Sequence, residues 1–326
     1  MGSVLVLGGT SWLGGRIAHE AVVRGHEVTC LARGESGEVP TPATLVRADR
    51  SRPDAYRAVI DRRWDHVIDV ARQPGQVRSA IDVLGGVASH WTFVSTGSVY
   101  ADQSVELTER SRLLPPLAAD EASLEQYGEG KVACEAAVRT LRHHLIVRAG
   151  LIGGPGDRSD RLGHYVARFA LARDEPVLVP DVADQPMQVI DVRDLAAWIV
   201  RAAEARSDGI VHGVGERTTV GQLIELSAEV AGFRGEQVPA APDWLRAHDV
   251  EEWVGPRSLP LWLPADHHGM GLMDDSRAVA LGLHRRPLAE TLRDTLADER
   301  DRGLDRVRRA GLTRNVELEL LAELRP

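Results

Sequence analysis

Tyr127 and Lys131 stand four residues apart in the run Tyr127-Gly128-Glu129-Gly130-Lys131, so a helix over this segment presents a phenol and an ammonium on one face. A cation beside a phenol favours the phenolate. The spacing therefore predicts a tyrosine that gives and takes a proton near neutral pH, with Lys131 lowering its pKa. A hydroxyl-rich turn, Ser95-Thr96-Gly97-Ser98-Val99-Tyr100, follows the apolar residues 91–94. If those residues form a strand of an open α/β sheet, the turn emerges at the carboxyl edge, where such sheets bind ligands. Thr96 can then hold a substrate oxygen beside Tyr127, while Ser95 and Ser98 read as locally satisfied turn hydroxyls.

These groups need a scaffold, and the first thirty or so residues supply its start. Val4-Leu5-Val6-Leu7 is a continuous apolar run ending at Gly8-Gly9, as in a strand buried on both faces. Residues 12–24 carry Leu13, Ile17, Ala21 and Val22 at helical spacing and stop at Gly25, and 27–31 reads as a second strand. The loop Gly8-Gly9-Thr10-Ser11-Trp12-Leu13-Gly14 between strand and helix is placed to receive a dinucleotide pyrophosphate on free N–H groups and the positive helix end. The second strand runs into Cys30-Leu31-Ala32-Arg33-Gly34, without the acid that receives an NAD ribose hydroxyl. Arg33 suits a 2′-phosphate, so NADP(H) is preferred; NAD(H) is the alternative, with Glu35 as substitute acid. Asp49 is placed to meet the adenine amino group, or else to form a turn.

Further strands at 45–46, 66–70, 91–94 and 145–147, with helical stretches between, argue for an α/β, doubly wound parallel sheet. After Gly150 the glycines and prolines of 153–156, and the proline- and tryptophan-bearing stretch 239–264, mark a substrate lobe. Trp244, Trp253, Trp262 and Leu263 are read as lobe core, with an apolar pocket as the alternative. The arginines and acids after Leu296 read as a solvated helix. His267-His268 lacks a third ligand, so no metal is assigned. His90, Glu109 and Asp157 receive no role.

The whole chain, 326 residues with a formal charge of -9, disfavours nucleic acid as a partner, because that binding is driven by Lys and Arg. Two cysteines, Cys30 and Cys134, build neither a disulfide framework nor a zinc site. With no leader pattern and no apolar run of membrane-spanning length, the expectation is a cytoplasmic protein without membrane contact.

Together these motifs resemble the extended short-chain dehydrogenase/reductase family, often labelled NAD-dependent epimerase/dehydratase. The resemblance rests on GGTSWLG at 8–14, Asp49, VSTGSVY at 94–100, YGEGK at 127–131 and Ile146-Val147-Arg148-Ala149-Gly150 before GGPGD. It implies a Rossmann-type sheet with a smaller C-terminal lobe and a catalytic triad at Thr96, Tyr127 and Lys131. It also implies a nicotinamide held near Ala149 to Ile152. The cofactor contacts expected are Gly8, Thr10, Ser11, Trp12, Leu13, Gly14, Arg33, Asp49, Val70, Ala71, Lys131, Ala149 and Ile152. The segment Gln188 to Ala196 is similar to the family stretch that returns to the cofactor domain. This gives a dinucleotide domain of 1–150 plus about 189–209 and a lobe of about 151–188 plus 210–326.

Three departures from the family pattern matter. Ser11 replaces the middle loop glycine. Gly97-Ser98 replaces the acid pair of sugar-nucleotide dehydratases, which disfavours dehydration. Met187 stands near the place of a phosphate-binding arginine, which weakens a nucleotide-sugar substrate. The leading expectation is reversible hydride transfer to a carbonyl, or from an alcohol, of a small molecule. Epimerisation through transient oxidation is the enzymatic alternative, and a non-catalytic cofactor-sensing or RNA-associated protein is the alternative of another class. A homodimer is possible through the face of Val132, Ala133, Ala136, Ala137 and Val138, which can equally pack on the sheet.

Overall fold

The computed structural model describes residues 1–324. It opens with β1 (Ser3–Leu7), α1 (Trp12–Val23), β2 (Glu27–Ala32), β3 (Thr44–Arg47), β4 (His66–Asp69), α2 (Pro74–Leu84) and β5 (Trp91–Thr96). There follow α3 (Tyr127–Val138), β6 (His144–Ala149), β7 (Leu151–Gly153), α4 (Arg161–Ala172), β8 (Val177–Pro180), β9 (Pro186–Asp191), α5 (Val192–Glu204) and β10 (Gly209–Gly213). The remainder carries β11 (Arg217–Thr219), α6 (Val220–Ala231), β12 (Gln237–Ala240), α7 (Pro242–Ala247), α8 (Ser276–Ala280), α9 (Leu288–Arg302) and α10 (Arg314–Leu324).

The main sheet has seven parallel strands in the order β10-β6-β5-β4-β1-β2-β3. Helices α1 and α5 cover one face, with Ile17, Ala21, Leu195 and Ile199 in the core there; α2 and α3 cover the other through Val77, Leu84 and Val138. Burial on both sides is why β1 is apolar without alternation, each such side chain contributing about 1.5–3 kcal/mol. The chain moves outward from β1 through β2 to β3, then returns to β4 on the far side of β1. The carboxyl ends of β1 and β4 therefore diverge and leave a crevice for a ligand.

The lobe is built on β11-β9-β7 and on the pair β12-β8, packed against α4, α6 and α9. Its β9 belongs to the lobe sheet, so the return to the main sheet starts at Val192 and runs through Gly213, not 189–209. The shift arises because β10 is the seventh strand, pairing with β6, a role that the short segment Gly209-Ile210-Val211-His212-Gly213 does not advertise.

Two other expectations change. The charged C-terminal stretch is not simply solvated. Glu299 is buried and pairs with Arg308 at 2.6 Å and Arg306 at 3.0 Å, while buried Asp160 binds Arg306, Arg302 at 3.0 Å and the Arg309 N–H at 2.9 Å. Glu299 finds its partners within ten residues, but Asp160, in a loop about 140 residues before its arginines, is invisible to local periodicity. In α3, Val132, Ala133 and Val138 are buried within the chain and only Ala136 is exposed, so the face proposed for dimer packing is used inside the protomer. Among the described residues no helix is long and apolar enough to cross a membrane.

Candidate active site

The glycine loop joins β1 to α1. Ser11 caps the helix: its Oγ accepts from the Gly14 N–H at 3.2 Å and donates to the Gly8 carbonyl at 2.8 Å. The serine that replaces a glycine is thus folded back onto its own loop and leaves the approach to the N-terminus open. The N–H groups of Trp12 and Leu13, first in the helix, have no intrahelical acceptor. Gly14 lies behind the loop, where a Cβ would stand 2.2 Å from the Gly8 carbonyl, so its contribution is close packing and not a wall contact. The Trp12 indole N–H donates to the Pro155 carbonyl at 2.9 Å and ties the loop to the lobe.

Two cavities run along the crevice and share Ser11, Val70 and Arg72. The first, about 430 Å³, is lined by Gly8, Thr10, Arg33, Glu35, Asp49 and Ala71 among others. Here Arg33 is exposed and pairs with Glu35 at 3.2 Å. Asp49 accepts from the N–H and hydroxyl of Ser51 at 3.0 and 2.8 Å, so part of its acceptor capacity is spent on a turn. Beneath lies a buried pair the sequence did not flag, Arg50 and Asp69, at 2.7 and 2.8 Å. Asp69 also accepts from the Ala71 N–H at 2.9 Å and so sets the end of β4.

The second cavity, about 780 Å³, is lined by Trp12, Leu13, Thr96, Tyr127, Lys131, Ala149 and Ile152, and by residues of the lobe. Trp253 and Leu263 stand on its wall, whereas Trp262 is lobe core and Trp244 stacks on His248. His267 is an exposed residue bound to Asp266 at 2.7 Å. Among the described residues no group of three or more His, Cys, Asp or Glu can hold a metal ion.

Thr96 ends β5, and its Oγ accepts from the Ser98 N–H at 3.2 Å, capping the short 3-10 turn Gly97–Val99. Helix α3 comes down on that turn at Gly128, where a Cβ would lie 2.4 Å from the Ser98 carbonyl. This close approach puts Tyr127 and Thr96 in one wall. Burial pushes the Tyr127 phenol above its usual range, opposed by Thr96, Arg72 and Arg161. The hydrogen bonds of Lys131 within the described residues go to backbone carbonyls. Its ammonium donates to the carbonyls of Ala71 at 2.8 Å and Val94 at 2.6 Å and lies 4.1 Å from the centre of the Phe93 ring. Burial pulls it down to about 8. With three donors and two used, one N–H remains for a ligand.

Behind the wall a buried network locks three elements. Arg148 binds both oxygens of Glu135 at 2.9 and 2.7 Å, Ser95 donates to Glu135 at 2.6 Å, and Arg148 also reaches the Tyr100 hydroxyl at 2.8 Å. Tyr100 contacts His212 Nε2 at 2.5 Å, and His212 Nδ1 faces the Asp274 carbonyl at 2.7 Å, so Nδ1 carries the proton. Ser95, Glu135 and Arg148 are neighbours in sequence or helix turn of Thr96, Lys131 and Ala149. The sequence reading missed this network, and also Asp157, Arg161 and Arg309 on the cavity wall.

The sequence matches the model of the NAD dependent epimerase/dehydratase family over residues 4–88 and 86–215. The chain belongs to that family. It is an NAD(P)-dependent enzyme. It is 29% identical over 270 residues, 74% of this chain and 83% of the relative, to a dTDP-6-deoxy-L-talose 4-dehydrogenase (NAD(P)(+)) of Kitasatospora kifunensis. The fold is that of UDP-glucuronic acid 4-epimerase from Bacillus cereus in complex with NAD, at TM-score 0.68 and 15% identity, covering 92% of this chain and 99% of that one. It is also that of UDP-glucose 4-epimerase from Thermotoga maritima, at TM-score 0.67 and 19% identity over the same shares.

Proposed function

We propose that the enzyme moves a hydride between a nicotinamide dinucleotide, NADP(H) in preference to NAD(H), and the carbonyl or alcohol of a small molecule. The observation that carries this is one cavity wall holding Thr96, Tyr127, Lys131 and residues 149–152, continuous with the glycine loop. The residues fit the cofactor. Unpaired N–H groups at Trp12 and Leu13 and the Arg72 side chain can take its pyrophosphate, the spare Lys131 donor a ribose hydroxyl, and Arg33 a 2′-phosphate. When bound, the nicotinamide supplies or accepts the hydride.

The chain's own groups do the rest. Thr96 turns its hydroxyl from Ser98 to the substrate oxygen and orients it. Tyr127, raised by burial, is protonated at neutral pH and gives its proton to that oxygen as the carbonyl is reduced; it takes the proton back in the reverse direction. The relative's name, a 4-dehydrogenase using NAD(P)+, supports net oxidation or reduction over epimerisation with retained cofactor.

The test is calorimetric titration with NADPH, NADP+, NADH and NAD+, followed by carbonyl turnover with Tyr127→Phe as control. Stoichiometric cofactor consumption, lost in Tyr127→Phe, supports the reading. Epimerised product without net consumption replaces it with epimerisation, and failure of all four nucleotides to bind sinks it.

A further inference from the structure

The chamber that holds Tyr127 continues past the phenol. A further cavity of about 540 Å³ shares with it Ser98, Tyr127, Trp253, Leu263 and Met270. None of the residues expected to hold the cofactor lines this cavity, so it adjoins the reacting groups without belonging to the dinucleotide.

Its walls are apolar and its charge is of one sign. Leu114, Trp253, Leu263, Pro264 and Met270 line it, and Leu124, 79% exposed, extends that lining to the surface. An uncovered leucine at the edge of a continuous apolar lining gains by being covered. Glu125, Glu129 and Glu252 also line the cavity, and among the described residues no lysine or arginine does. Glu125 accepts from the Ser123 hydroxyl at 2.8 Å and Glu252 from Arg246 at 3.0 Å. The half-buried Glu129 carboxylate has no hydrogen-bond or ion-pair partner among the described residues. His267, the one basic side chain in the lining, is bound to Asp266 at 2.7 Å. An anion brought beside an unneutralised carboxylate, between apolar walls, loses both its water and Coulomb energy.

Resting on the proposed oxidoreductase reading, we infer that the substrate has two parts. Its carbonyl or alcohol carbon lies in the chamber of Thr96 and Tyr127, and an apolar substituent without negative charge passes Tyr127 and Trp253 to fill the adjoining cavity. Leu124 and Glu129 then select that substituent, Leu124 by covering it and Glu129 by refusing an anion. Leu124 stands just before α3 and Glu129 in its first turn, so the groups that choose the substituent and the phenol that gives the proton are carried by one element.

The experiment titrates the NADP+-loaded protein, in which no hydride can pass to a ketone, with acetone, benzylacetone and benzylacetone bearing a para-carboxylate. These present one methyl ketone with no tail, an apolar tail and an anionic tail. Benzylacetone is expected to bind at least about tenfold tighter than either of the others. Leu124→Asp should remove most of its gain over acetone, and Glu129→Lys should narrow its lead over the carboxylate. Equal affinity for benzylacetone and its carboxylate, tighter binding of the carboxylate, or binding of no ketone at millimolar concentration overturns the inference while leaving the cofactor reading intact. A preference for benzylacetone that neither variant alters also overturns it, since the tail would then lie elsewhere. Failure of the wild-type protein to bind any nicotinamide nucleotide is the separate failure of the oxidoreductase reading.

Discussion

The Ser98 carbonyl stands 2.4 Å from the position of a Cβ on Gly128, so α3 reaches the Thr96 turn only because residue 128 has no side chain. Gly128→Ala must push α3 away from the turn and part Tyr127 from Thr96. Turnover is expected to fall by about a hundredfold, since small misplacements cost that much, with a stability loss of about 1–3 kcal/mol from overpacking. Cofactor affinity, measured in parallel, should change far less. A variant with wild-type turnover would show that the approach is not needed.

Arg33 should act as a filter for the cofactor. Among the described residues its only ion pair is with exposed Glu35, so the side chain is available at small cost. Arg33→Ala is expected to weaken NADPH about tenfold and NADH little, and Glu35→Gln to tighten NADPH slightly. Titration of both variants with both nucleotides checks this; equal weakening of NADPH and NADH would remove the 2′-phosphate assignment.

Lys131 should make cofactor binding take up a proton at alkaline pH. Its pKa, about 8 in the free protein, rises when a polyanion comes near. At about pH 9 the free protein has largely lost this proton and the complex regains it, whereas at about pH 6.5 both hold it. The calorimetric enthalpy should therefore depend on the buffer's ionisation heat at the higher pH only. A flat dependence at both would mean that the ammonium does not feel the ligand.

The β1-α1-β2 unit was legible because each part has a local signature: an apolar run, a glycine-rich loop, a glycine stop. Tyr127 and Lys131 were legible because four residues in a helix make neighbours. What Lys131 touches was not, since Ala71, in the loop just past β4, and Val94, in β5, lie 60 and 37 residues away, and their carbonyls accept its hydrogen bonds. Arg161 escaped for the same reason. It follows Asp160, which has a left-handed backbone (φ 63°) and is clasped by arginines more than 140 residues later. No window of local sequence holds both halves of that clasp.

Glu135 and Arg148 should be worth more together than apart. Glu135→Gln leaves the fully buried Arg148 without its counter-charge, with an expected loss of about 3–5 kcal/mol in denaturant unfolding. Arg148→Met combined with Glu135→Leu should cost less than the sum of the two single changes. Strict additivity would argue that the pair is not coupled.

His66 should set part of the acid limit of stability. Burial holds it down at about 4, with His90 and His26 also opposing its charge, Asp65 favouring it and Arg206 opposing it. The folded pKa lies below the unfolded one, so this stability is complete above about pH 6.5 and is lost as pH falls toward 4. The shift corresponds to on the order of 3 kcal/mol. Unfolding free energy of His66→Gln should fall less steeply over that window, and an unchanged slope would assign the acid limb to other groups.

The contacts of Lys131 with Ala71 and Val94 bear on how this enzyme should be disabled in the laboratory. The lysine ties the loop just past β4 to β5 before any ligand arrives, so deleting it removes a structural rivet along with the group proposed to meet the cofactor. A silent lysine variant would therefore report damage to the scaffold and to the chemistry in one number. Tyr127→Phe leaves that clip untouched and, on the proposed function, is the cleaner test of the chemistry.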